Sequence, residues 1–306
     1  MNDGRFIDTN LASLEGEAAT QLRPEFRPSP HAGRAILKQP VWVWTIPAYF
    51  FVGGVGGAAM TLGFAAQLIG GRDLRSFDER CRWTGAIGGG IGTALLIYDL
   101  GRKGRFLFMM RVFRPTSPMS VGSWVLALAT PLSLASAVLP NTLSRAAGVG
   151  AGLLGMPLAT YTAVLLGNTA IPLWNEVRRS LPFLFGASAV ASLASIFELM
   201  PLNSRERRIV FRFGLAGRLA EIAASAAVEN AAHRRPGLAK PLRDGFSGTL
   251  WNAATVCVVA SLVVSVLPFG GRRKRFASGV LGIVGGACLR FAIFYAGKRS
   301  ARNPHL

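Results

Sequence analysis

Histidine and cysteine are scarce, with three of each in 306 residues. His31, His233 and His305 all fall outside the apolar runs, so the chain lacks the paired histidines that would hold a b-type haem between facing helices. Cys81, Cys257 and Cys288 lie far apart and form no CxxC. That excludes an iron–sulfur cluster or zinc site held by this chain alone, and no disulfide is expected. No Walker A pattern is present, so an ATP-driven machine is not expected either. Charge is also in short supply, at 16% of residues against roughly 25% in soluble domains. Carboxylates are scarcer still, 15 against 34 Lys and Arg. In a soluble protein such an excess would suggest nucleic acid. Here the cations fall almost entirely in the gaps between apolar runs, where they set topology. No nucleic-acid partner is expected.

The abundant residues are hydrophobic, at 51%. Apolar runs of roughly 18 to 25 residues recur along the chain, the pattern of transmembrane helices. They predict an all-α, polytopic membrane protein with spans at 42–69, 83–100, 120–140, 146–167, 181–202, 208–229, 247–269 and 276–297. The sixth carries Arg212, Arg218, Glu221 and Glu229, and so also reads as an interfacial amphipathic helix. Residues 1–40 form a polar tail without an apolar h-region, so no cleavable signal is expected and the first span directs insertion. Residues 41–302 form the membrane domain. All the tryptophans, Trp42 and Trp44 among them, lie near span ends, where an amphipathic ring prefers the headgroup level. Four spans carry GxxxG, at Gly53/Gly57, Gly88/Gly92, Gly148/Gly152 and Gly282/Gly286, which predicts close helix–helix contacts. An even number of spans puts both termini on one side, and the loop cations favour the cytoplasm. The bias is small, because RSFDERCR, NSRERR and GRRKR fall on the opposite side.

Few polar groups lie inside the spans, and each is costly there. Asp99 ends the second span, Glu198 lies late in the fifth, Arg218 and Glu221 in the sixth, and Arg290 in the eighth. Arg218 and Glu221 are spaced i, i+3 and can pair on one helix face. Arg290 needs a carboxylate from another helix, with Glu198, Glu221 and Asp99 as the candidates. Tyr49, Tyr161 and Asn168 add hydroxyl and amide groups near span ends. In IYDLGRKGRFLFMMRVFRPTSPMSVGSW, glycines follow Asp99 closely and let Arg102 and Arg105 fold back onto its carboxylate. The prolines of RPTSP end any helix, and Ser117 or Ser120 can cap the next span.

DLGRKGRF followed by SPMSVGSW resembles the signature of the NrfD/polysulfide reductase membrane-subunit family. WTIPAYFFVGGVGGAA resembles the first span of that family, TYTAVLLGNTAIPLWNEVRRSLPFLFGASA its central hairpin, and GGACLRFAIFYAGKRSA its last span. The likeness covers residues 42 to 302, with Lys103 standing where the family usually has proline. It implies about eight helices in two four-helix bundles without haem or iron–sulfur cluster, in the bacterial cytoplasmic (inner) membrane. It also implies electron exchange between menaquinone or ubiquinone and a ferredoxin-like iron–sulfur subunit, itself often joined to a molybdopterin catalytic subunit. On this reading Tyr49, Tyr161 and Asn168 are candidate quinone contacts, with Arg102 and Arg105 beside them. Asp99, Glu198 and Glu221 are candidate proton-transfer groups, and Arg290 joins a second polar track. The chain would be a quinone-linked oxidoreductase subunit, not catalytic alone. Two other classes fit the same features: a secondary transporter or proton channel, and a purely structural membrane tether.

Overall fold

The computed structural model describes residues 40, 42–100, 102–235, 237–268 and 271–302. The polar tail, except residue 40, lies outside them, as do His31 and His305. All regular structure among the described residues is helical. The long helices are α1 (Thr45–Ile69), α2 (Arg75–Asp99), α3 (Pro118–Val138), α4 (Asn141–Gly167), α6 (Leu181–Glu198), α7 (Ser204–His233), α9 (Gly245–Val266) and α10 (Gly271–Ser300). Two short helices, α5 (Pro172–Glu176) and α8 (Lys240–Arg243), occupy connections.

Each expected span coincides with a long helix, but only six of them, α1, α3, α4, α6, α9 and α10, are apolar enough by composition to count as membrane spans. The other two are polar at their starts: α2 begins RSFDER and α7 begins SRERR. Helix α7 also carries Arg212, Arg218, Glu221 and Glu229 along its length.

The helix ends follow local chemistry. Ser117 caps α3, its hydroxyl accepting from the Ser120 N–H at 3.4 Å, and Pro118 fills the first turn, where no N–H is needed. Asn203 and Glu206 form a reciprocal capping box on α7. Helix α1 packs on α2 and α4, and α3 on α2 and α4. Helix α6 packs on α7 and α10, and α9 on α10 and α7. Helices α1, α4, α6 and α10 supply the contacts between these groups. GxxxG residues lie at helix–helix contacts within each group. A Cβ on Gly57 would overlap the Gly155 carbonyl of α4, and one on Gly282 or Gly286 would overlap Ser195 or Ser192 of α6.

Contacts across the chain define two ends. At one, Lys298 donates to the Trp42 carbonyl at 2.9 Å, the Leu173 N–H donates to Ser300 at 3.4 Å, and Trp42 stacks on Trp174. At the other, Arg205 pairs with Asp73 and Gln67 donates to the Arg145 carbonyl at 3.1 Å. Large apolar side chains such as Leu68, Leu153, Phe183 and Val256 face outward. So extensive an apolar exterior suits acyl chains rather than water.

Candidate functional site

Asp99 is the last residue of α2, and its carboxylate is held by the start of α1. Its Oδ1 accepts from Thr45 Oγ1 at 3.0 Å and from the Val43 N–H at 3.4 Å. A helix N-terminus leaves N–H groups unsatisfied and carries a positive dipole end, so a carboxylate is stabilised there. The local N-cap residue, Trp44, makes no side-chain cap bond. Asp99 therefore ties the end of α2 to the chain just before α1 and to the first side chain of that helix. The expected clasp by Arg102 is not formed: Arg102 is exposed and makes no ion pair with Asp99. The chain leaves α2 extended at Leu100 and Arg102, which carries that guanidinium off the carboxylate. The side chain of Arg105 lies outside the described part of the structure.

One turn into α1 from Thr45, Tyr49 is 3% exposed and its hydroxyl has no hydrogen-bond partner among the described residues. A Cβ on Gly92 of α2 would lie 3.1 Å from its ring, which glycine leaves room for. The ring centroid of Tyr161, on α4, is 6.5 Å away. Tyr161 in turn covers Gly122 of α3, where a Cβ would overlap the ring. Two residues along α3, the indole N–H of Trp124 is also buried without an acceptor, its ring edge-on to Phe113 at 6.2 Å. Four helices thus bring Asp99, Thr45, Tyr49, Tyr161 and Trp124 to one end of the molecule. Asn168 is used differently. It is exposed, and its amide donates to the Val164 carbonyl at 2.8 Å, closing the last turn of α4.

A second polar cluster is buried between α6, α7 and α10. Arg218 is fully buried, and its Nη2 donates to both oxygens of Glu198 at 2.9 Å and to Ser195 Oγ at 3.2 Å. The i, i+3 pair expected with Glu221 does not form, because α6 presents Glu198 directly to the guanidinium. Glu221 faces Ser188 instead, with Arg290 and Arg218 as the nearby cations, and its Oε1 is unpartnered. Arg290 donates from Nη2 to the Phe185 carbonyl at 2.7 Å and lies over the Phe185 ring, 3.9 Å from its centroid. Of its three candidate carboxylates, Glu221 is the one that faces it. Nε and Nη1 of both arginines and the hydroxyls of Ser188 and Ser192 make no hydrogen bond with the described residues.

Several of these partners carry only a weak signal in the sequence. Ser188, Ser192 and Ser195 stand at i, i+4 and i+7 on α6, a polar stripe that helical periodicity reveals once the span is drawn. Thr45 was legible only as the first polar residue of its span. Glu206 is 1% exposed and accepts from Ser76 at 2.9 Å, from Arg80 at 2.9 Å and from the Asn203 N–H. Its NSRE context is a capping signal.

No curated protein matches the chain. The family model described as "Polysulphide reductase, NrfD" matches residues 36–300, which includes every helix described above. The chain is a multi-pass membrane protein and belongs to the NrfD polysulphide reductase family of membrane subunits.

Proposed function

We propose that this chain is the quinone-interacting membrane subunit of a respiratory oxidoreductase complex, exchanging electrons with a ferredoxin-like iron–sulfur subunit. The observation that carries the reading is the Tyr49 hydroxyl, buried without a partner beside Tyr161 at the Asp99 end. An unpartnered buried hydroxyl costs about 1–3 kcal/mol, and a quinone carbonyl is an acceptor of the right kind to offset it. The buried Trp124 N–H at the same end has the same need. Quinone supplies the two-electron, two-proton chemistry when bound. Tyr49 and Tyr161 orient its head group, and Asp99, tethered by Thr45, takes up or delivers a proton. Membership of the NrfD family and the scarcity of histidine and cysteine support electron exchange through a partner's cluster rather than through a cofactor of this chain.

Helices α2 and α7 cross the membrane with the six apolar ones, making eight spans in two four-helix groups, α1–α4 and α6, α7, α9, α10. The membrane is the bacterial inner membrane, both termini are cytoplasmic, and a molybdopterin enzyme completes the complex. Glu198, Glu221 and Arg290 form a proton-transfer track separate from the quinone site. A transporter would use that buried cluster without any redox partner, and a tether would need neither cluster.

Quenching of a fluorescent quinol-site inhibitor by the purified complex tests the proposal. Saturable quenching is expected, with affinity lowered about tenfold, or about 1.4 kcal/mol, in Asp99→Asn and in Tyr161→Phe. Saturable quenching unchanged in both variants would retain a quinone site but remove it from this end. Folded complex that retains its iron–sulfur subunit yet shows no saturable quenching would favour the tether.

A further inference from the structure

The end of the molecule remote from Asp99 carries a lateral groove of about 440 Å³ between the first turns of α2 and the chain just after α6. Its polarity is graded along α2. Ser76, Glu79 and Arg80 come first along the helix, Trp83 and Thr84 next, and Ile87 last, while Met200 lines the groove from the chain after α6. Glu79 to Ile87 spans about 12 Å of helix axis, the distance from headgroup level to the upper acyl chains. Trp83 and Ile87 are exposed, 41% and 56%, and the position of Trp83 suits the membrane interface.

The hydrogen bonding within the groove limits what fits it. Ser76 is already bonded to Glu206, and Thr84 to the Arg80 carbonyl at 2.7 Å. Arg80 gives Nη1 to Glu206 and leaves the rest of a side chain 34% exposed. Glu79 is exposed and forms no ion pair or hydrogen bond with the described residues. The groove therefore offers one unpaired carboxylate and one partly free guanidinium on adjacent residues, above an apolar floor. We infer that it binds an aminophospholipid. The primary ammonium bonds Glu79, the phosphate meets Arg80, and the acyl chains run along Trp83 and Ile87. An anionic phosphatidylglycerol would place its charge beside Glu79 with nothing to neutralise that carboxylate. A choline headgroup has no N–H to donate, and a quinone would leave Glu79 unpaired.

Native mass spectrometry of the delipidated full chain, titrated with phosphatidylethanolamine, phosphatidylglycerol and phosphatidylcholine of matched acyl chains, tests this. Phosphatidylethanolamine is expected to be retained about tenfold better than the other two. Glu79→Gln, which breaks no bond among the described residues, should abolish the preference over phosphatidylcholine while leaving the melting temperature unchanged. Trp83→Ala should weaken retention of all three lipids. Equal retention of the lipids, a preference for phosphatidylglycerol, an ethanolamine preference that survives Glu79→Gln, or displacement of the lipid by a short-chain quinone would each overturn the assignment. None of these readouts depends on the quinone site at the Asp99 end.

Discussion

Asp99 and Arg218 show how a single polar group is accommodated in so apolar a chain. Asp99 is satisfied by the start of another helix, and Thr45 supplies the shorter of its two bonds. Thr45→Val should cost about 1 kcal/mol, or a few degrees in Tm, and should weaken inhibitor binding less than Asp99→Asn does. Thermal unfolding and quenching titration on the same preparation separate the two effects; equal losses of affinity would make the hydroxyl, not the carboxylate, the important group. Arg218 is satisfied by Glu198 across a helix–helix contact. Arg218→Met leaves the Glu198 carboxylate buried and unpaired, and should destabilise the fold by about 3–5 kcal/mol. Arg218→Met combined with Glu198→Leu should recover most of that loss, because no uncompensated charge then remains. A double variant as unstable as the single one would show that the pair does more than neutralise charge.

At the scale of helices, small residues set how closely the elements approach. Gly57 of α1 lies against Gly155 of α4, and Gly282 and Gly286 of α10 lie against serines of α6. The first contact holds α1 against the helix that carries Tyr161. Gly57→Ala puts a methyl into the Gly155 backbone, so α1 and α4 must separate. Overpacking of this kind costs about 1–3 kcal/mol, and the displaced Tyr49 should lower inhibitor affinity in proportion. Gly90, where a Cβ would meet nothing within 4 Å, serves as the control: Gly90→Ala should leave Tm and affinity unchanged. Equal tolerance at both positions would contradict the close approach. The sequence motif located these contacts but not their partners. Gly57 meets α4, and nothing within GVGGAAM indicates which helix lies opposite.

For the whole molecule, the sharpest test is the number of crossings. If α2 and α7 span the membrane, cysteines placed at Arg75 and Arg102 must react with an impermeant maleimide from opposite faces, and so must cysteines at Arg207 and Arg234. All four positions are exposed. The experiment is done in spheroplasts and inverted vesicles of a variant lacking Cys257 and Cys288. Labelling of either pair from the same face would leave that helix outside the membrane and reduce the count toward the six apolar spans.

The helical class, the position of every long helix and the family were legible in the sequence, because hydropathy and periodicity are local properties that a linear chain displays directly. The absence of histidine and cysteine from most spans likewise limited the redox chemistry without reference to any fold. Parts of the candidate site were legible too: Asp99, Tyr49 and Tyr161 stood out as rare polar groups near span ends, and the structure brings the two tyrosines together. Pairing was not. Spacing suggested Arg218 with Glu221 and Arg102 with Asp99; the fold instead joins Arg218 to Glu198 and Asp99 to Thr45. A buried charge takes whichever partner the rotation and register of the neighbouring helix present to it. Those two variables arise only when the helices pack, so the tertiary structure alone decided them.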